Sequence, residues 1–169
     1  INSIAAALAP YPFKECRIEH LAATDNIFCI AEPSGIGAPY FRDIPGIVFS
    51  KQVEHLTPHQ IACLLLEAII FRVTRILHDF QRLYGINRIH LSGGLAELPV
   101  LQQGIALCNS LEVYRLQQKD SSLLGAAMLA ADLPAANIQA FKVQNPGNFE
   151  ALRDKYEHWK IWFDTFLNT

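Results

Sequence analysis

The sequence has no polybasic run, so it lacks the electrostatic footprint of a nucleic-acid binder. It has no low-complexity tract and no internal repeat, which leaves a continuous folded unit. Its apolar opening stretch, INSIAAALAP, has no positively charged start and falls short of the ~20 residues that cross a bilayer, so neither a signal peptide nor a membrane anchor is expected. Charge is scarce: 18% of residues are charged against 51% hydrophobic, with a net charge of −2, the balance of a packed soluble protein. The 169 residues match one domain, large enough to bury about two thirds of its unfolded surface. The chain begins with Ile1 rather than Met, which predicts a processed product or a piece of a longer protein.

Chemical signatures are equally sparse. There is no GxSxG elbow, no GxxxxGK[ST] phosphate loop and no cysteine in a nucleophile signature. Cys16, Cys29, Cys63 and Cys108 lie far apart without CxxC spacing, which predicts buried free thiols in a reducing cytoplasm. His55 and His59 stand four apart, as two ligands on one helix face would. Pro58 lies between them at a helix start, so His55 falls outside the helix and a surface or capping role is expected. Asp132, Glu150 and Asp154 read as solvated faces. No self-contained catalytic constellation is present.

Periodicity is plentiful. Residues 2–8 and 13–22 read as short helices, the first stopped by Pro10 and Pro12. NIFCIAE has strand length, PSGIGAPYFRDIPG is a loop stiffened by proline and glycine, and GIVFS resumes as a strand. Thr57 and Pro58 are a cap and a first helical residue, and apolar positions from Ile61 to Phe80 recur at three- and four-residue spacing up to Gly85. This predicts a helix of about 25 residues buried on one face. NRIHLS, a helix over residues 99–109, LEVYRL and a small-residue helix over residues 121–131 then follow, compatible with a parallel βαβ unit. In a last helix over residues 149–167, Tyr156, Trp159 and Phe163 share a core-facing stripe.

Gly93 and Gly94 occupy the strand-to-helix corner of RIHLSGGLAELPV. In an open α/β sheet, ligands bind beyond the carboxyl ends of strands, and glycine there admits a flat group close to the backbone. The helix start that follows adds free amides that favour polar or anionic groups.

The order of GIGAPYF (residues 35–41), GIVFS, LLEAIIFRVTRIL, the glycine pair and LLGAA (residues 123–127) resembles the C-terminal domain of the FGGY family of carbohydrate kinases, which includes glycerol and xylulose kinases. The resemblance covers about residues 27–132, with a looser match in the aromatic-rich tail and a weak one over the first 25 residues. It implies a partial actin-like ATPase (ribonuclease H-like) domain, α/β with a mixed sheet flanked by helices. Residues 1–169 would form a single domain, the C-terminal nucleotide-binding part of a two-domain sugar kinase, lacking its first strands.

The resemblance further implies phosphoryl transfer from Mg·ATP to a hydroxyl of a sugar or polyol, in the cytoplasm. The general base, most sugar contacts, the main phosphate hairpins and most of the hold on magnesium belong to segments absent from this chain. No catalytic residue is therefore assigned, and the chain alone is expected to be inactive. Ser92, Gly93, Gly94 and Leu98 are the expected nucleotide contacts, with Gly93 and Gly94 beneath adenine and ribose and the helix from Pro99 alongside. Gly125 is expected to pack closely on the sheet, and the GIGAPYF loop to lie near the domain cleft. Leu98 departs from the asparagine that glycerol kinases carry there, and it offers adenine no hydrogen bond. Phe41 replaces a tryptophan, and RDIPG is one residue shorter than the family's DPDARG and lacks the arginine that stands before the final glycine there. These departures keep a second reading open, a non-catalytic pseudokinase half serving as a binding or assembly module. A sheet without its first strands predicts an exposed edge and dimerisation through it.

Overall fold

Thr57 and Gln60 build the start of the helix that organises the molecule. The computed structural model describes residues 11–24, 26–44, 46–134, 138–147 and 149–168; the helix expected over residues 2–8 lies outside them. Gln60 N donates to Thr57 Oγ1 at 3.3 Å and Thr57 N to Gln60 Oε1 at 3.0 Å, a reciprocal capping box with Pro58 just inside it. Helix α1 then runs Pro58–Tyr84 and stops at Gly85, whose left-handed φ of 63° lets its amide donate to Gln81 O. Thr57→Ala is expected to lower stability by about 1 kcal/mol, read as a Tm drop of about 2–4 °C. An unchanged Tm would show that Pro58 alone sets the helix start.

The first half of α1 is covered on more than the one expected face. Ala62, Cys63, Leu66, Ile70 and Phe71 join the main core, while Leu64, Leu65 and Ala68 pack into a second cluster with Ile27 and Cys29. That second cluster lies with the hairpin of β1 (Cys29–Ile30) and β2 (Val48–Phe49), which pair antiparallel. A helix flanked on two sides needs apolar residues around most of its circumference, which LLLEAII supplies.

The second sheet has the order β3 (Arg88–Leu91), β4 (Glu112–Leu116), β5 (Ala140–Lys142). Strands β3 and β4 are parallel, from Arg88 opposite Glu112 to Leu91 opposite Arg115, and α2 (Pro99–Cys108) is their crossover. Strand β5 runs antiparallel to β4, making the sheet mixed. Helix α3 (Ser121–Ala130) follows β4, and α4 (Glu150–Leu167) closes the chain. The α4 stripe is core as expected: Tyr156, Trp159 and Phe163 are buried, Trp159 stacks on Phe163 with centroids 4.6 Å apart, and its Nε1 donates to Cys29 O at 3.0 Å.

Two expectations are corrected. Residues 13–22 form two 3-10 turns, Phe13–Glu15 and Ile18–His20, because Cys16 and Arg17 between them are extended. Helix α3 buries none of its residues, leaving Leu123 and Leu129 71% and 85% exposed. Gly125 within it is not a close-packing residue in this chain, since a methyl group there would meet nothing within 4 Å among the described residues.

Candidate functional site

Strand β3 delivers its carboxyl end to Ser92, and the chain then turns through the glycine pair. Gly93 has φ +97°, a conformation that side-chain-bearing residues rarely adopt, so this corner requires glycine. Its amide donates to Lys119 O at 3.1 Å, which stitches the β3–α2 turn to the β4–α3 connection. Both connections therefore sit side by side at the carboxyl ends of two parallel strands, the place where α/β sheets receive ligands. Gly94 has an ordinary helical φ of −60° and starts the 3-10 turn Leu95–Glu97. A Cβ at either glycine would meet nothing within 4 Å.

Ser92 and Gly94 are exposed and Gly93 half-buried at this corner. Leu98 differs from them. It is half-buried with its side chain packed against the main core, and its carbonyl accepts the amides of Leu101 and Gln102 at the start of α2. The corner is braced by two further contacts that sequence spacing did not single out. Gln102 Nε2 donates to Ala96 O at 2.6 Å, and Arg115 pairs with Glu97 at 3.0 Å. A concavity of about 240 Å3 flanks the first turn of α2, bounded by Pro99, Gln102, Arg115 and Phe141.

The GIGAPYF loop is tied to α1 and α4. Ile36 and Arg42 exchange backbone hydrogen bonds at 2.7 and 3.0 Å, closing the loop at its base. Arg72 reaches it from α1: its Nε donates to Glu32 at 2.7 Å, and its Nη2 to the carbonyls of Gly37 and Ala38 at 3.3 and 2.8 Å. The guanidinium also lies 4.7 Å from the centroid of the Tyr40 ring, a cation–π contact. Glu32 completes the clamp by accepting the Gly37 amide at 2.8 Å, and Arg42 donates to Leu167 O at 2.7 Å. The sequence signal for Arg72 was present in retrospect: an arginine within the apolar run AIIFRV is rarely buried unless it is paired.

The cysteines are free and buried, as their spacing predicts. Cys16 and Cys63, 47 residues apart, nevertheless meet with sulfurs 3.6 Å apart. Burial pushes both thiols up from their ordinary pKa, and Cys108 is pushed up to about 12 by the same cause. His59 is half-buried, and its ring packs edge-on to that of His20 with centroids 4.7 Å apart.

Residues 5–132 match the profile of the C-terminal domain of the FGGY family of carbohydrate kinases. The chain belongs to that family. The match starts at residue 5, so most of the N-terminal stretch upstream of residue 27, whose resemblance to the family is weak, is part of it. Among curated relatives, a glycerol kinase from Thermococcus gammatolerans is 29% identical over 155 residues, covering 83% of this chain and 30% of the relative. A glycerol kinase from Dechloromonas aromatica is 31% identical over 120 residues, 68% of this chain and 24% of the relative. The chain thus spans about 30% or less of the length of these relatives.

The fold is shared with solved kinase structures. Xylulose kinase from Rhodospirillum rubrum superposes with a TM-score of 0.69 at 17% identity, covering 99% of this chain and 38% of that one. Plasmodium falciparum glycerol kinase with ADP superposes at 0.67 and 17% identity, covering 96% and 35%. The fold is the actin-like ATPase type, as the resemblance implied. No helix among the described residues is long and apolar enough to cross a membrane.

Proposed function

We propose that this chain is the nucleotide-holding C-terminal domain of a cytoplasmic, ATP-dependent sugar or polyol kinase, a single domain over residues 1–169 that lacks its first strands. The observation that supports it most is the open glycine corner. Gly93 and Gly94 leave a bare stretch of backbone where two parallel strands end, in a chain of a carbohydrate kinase family. In this reading Gly93 and Gly94 pass beneath adenine and ribose, Ser92 lies beside them, and α2 flanks the pocket. Leu98 contributes apolar contact only through the part of its side chain that the core leaves uncovered. Bound Mg·ATP supplies the transferable phosphoryl group, with magnesium held mainly by the phosphates and by segments outside this chain. The sugar or polyol is bound outside it as well.

Positioning and charge neutralisation do most of the work of phosphoryl transfer, and the attacking hydroxyl also needs a base. A chain with only the adenosine side aligns nothing, so no sugar-dependent ATP turnover is expected from it in isolation. The decisive variant is Gly94→Leu. Gly94 is exposed, its φ is −60° and a Cβ there meets nothing within 4 Å, so leucine is expected to cost the fold little while its side chain occupies the space assigned to the nucleotide. Calorimetric titration of the full-length protein with ADP is expected to show affinity falling by about tenfold or more, a loss of at least ~1.4 kcal/mol, at unchanged Tm. Unchanged ADP affinity would remove the nucleotide from this corner. Absence of any binding to the parent protein at millimolar ATP or AMP would favour the pseudokinase module, the reading to which the inward packing of Leu98 lends weight.

A further inference from the structure

Away from the glycine corner, two thiols and an imidazole converge where the N-terminal segment meets the first turns of α1. Cys16 follows the turn Phe13–Glu15, and His59 and Cys63 stand four residues apart at the start of α1. One ligand atom from each of the three lies within 4.8 Å of the others, and the two sulfurs are 3.6 Å apart. A tetrahedral ion with metal–sulfur bonds of about 2.3 Å holds two sulfurs roughly 3.8 Å apart. The pair is therefore already near that spacing. Both thiols are buried and the imidazole is half-buried, which makes His59 the solvent side of the cluster.

We propose that Cys16, His59 and Cys63 form a binding site for one thiophilic divalent cation, Zn2+. Two thiolates with an imidazole are the donor set that zinc prefers, whereas magnesium and calcium prefer oxygen. His20 packs against His59 but is not a ligand in this arrangement. Its Nδ1 accepts the Arg17 amide at 3.2 Å, so the ring proton resides on Nε2, which then donates rather than binds metal. Three protein ligands remain, and water completes the tetrahedron. The two halves of the site are well fixed, one by the turn before Arg17 and the other by the capped first turn of α1. A bound ion fastens the segment that leads into β1 onto the central helix.

The test is a titration of the reduced, chelator-treated full chain with Co2+ alone and then with Zn2+ alone. One Co2+ per chain is expected, with a thiolate-to-cobalt charge-transfer band and the strong visible absorption of a four-coordinate ion, both bleached by Zn2+. His59→Asn, at the half-exposed position, is expected to weaken binding by about 100-fold or more, beyond what losing a supporting residue does. Cys63→Ser should reduce the charge-transfer intensity, and His20→Asn should change affinity by less than about tenfold. Near-UV circular dichroism from buried Trp159 verifies folding, and if Cys63→Ser does not fold, His59→Asn decides alone. A folded wild-type chain without the charge-transfer band overturns the proposal, as does unaltered affinity in His59→Asn. Loss of two thiols to mild oxidation with no cobalt band also overturns it and assigns the pair to disulfide chemistry.

Discussion

Lys155→Met is expected to destabilise the fold by about 3–5 kcal/mol, the cost of stranding a buried charge. Lys155 and Glu67 form an ion pair at 2.7 Å with side chains only 5% and 3% exposed. Lys155 Nζ also donates to Thr24 O and Oγ1 at 2.8 and 3.1 Å, while Glu67 Oε1 accepts the Ala22 amide at 2.6 Å. The pair therefore joins three elements: α1, α4 and the turn before β1. Methionine fills the space of the lysine stem but leaves the Glu67 carboxylate without its cation in a region that water does not reach. The drop should appear as a Tm lower by roughly 10 °C, at about 2–4 °C per kcal/mol for a chain of this size. Adding Glu67→Gln removes the stranded charge while its amide oxygen still accepts from Ala22, so the double variant should recover most of the loss. A single variant within about 1 kcal/mol of wild type would mean that surface-like solvation reaches the pair.

What the sequence shows well is whatever its local physics decides. Thr57, Pro58 and Gly85 bracket α1 because caps act within one turn. The crossover of β3, α2 and β4 follows from alternating periods, and the need for glycine at position 93 is a property of one backbone angle. Strand β5 escapes notice for the opposite reason. Its three residues carry no period of their own, and they are extended because Tyr114, Arg115 and Leu116 on β4 pair with them and because Arg115 lies 5.5 Å from the centroid of the Phe141 ring.

The site shows the same division. The glycine pair is visible as a motif, whereas the Arg72 clamp on GIGAPYF, the Lys155–Glu67 pair and the Cys16–Cys63 approach each join residues 34 or more positions apart. Spacing along the chain carries no information about such meetings. What the sequence does offer is an anomaly, a charged residue inside an apolar helical run. Glu67 in LLLEAII and Arg72 in AIIFRV are both of this kind, and both are buried and paired. The cysteines offered no comparable anomaly, because a buried free thiol looks like any small apolar residue until its neighbours are known.

Gly104→Val should cost about 3 kcal/mol or more, and the smaller Gly104→Ala about 1–2 kcal/mol, both through overpacking. Helix α2 crosses α1 at this glycine. A Cβ there would overlap Ile70 Cδ1 and stand 3.1 and 3.4 Å from its Cγ1 and Cγ2. Ile70 is fully buried, so its terminal methyl has no solvent side to turn towards. Alanine gains about 1 kcal/mol over glycine within a helix, which is why the expected loss is smaller than the clash alone would give. Ile70→Val removes the methyl group that blocks the site and by itself costs about 0.5–1.5 kcal/mol for the cavity left behind. In the double variant Gly104→Ala with Ile70→Val, the new methyl occupies the vacated space and the helix propensity gain is kept. Its stability should return to within about 0.5 kcal/mol of wild type, so the two changes couple favourably by about 2 kcal/mol in a denaturant-unfolding cycle. Additive losses in that cycle would mean that α2 and α1 approach each other less closely than the Gly104 contact requires.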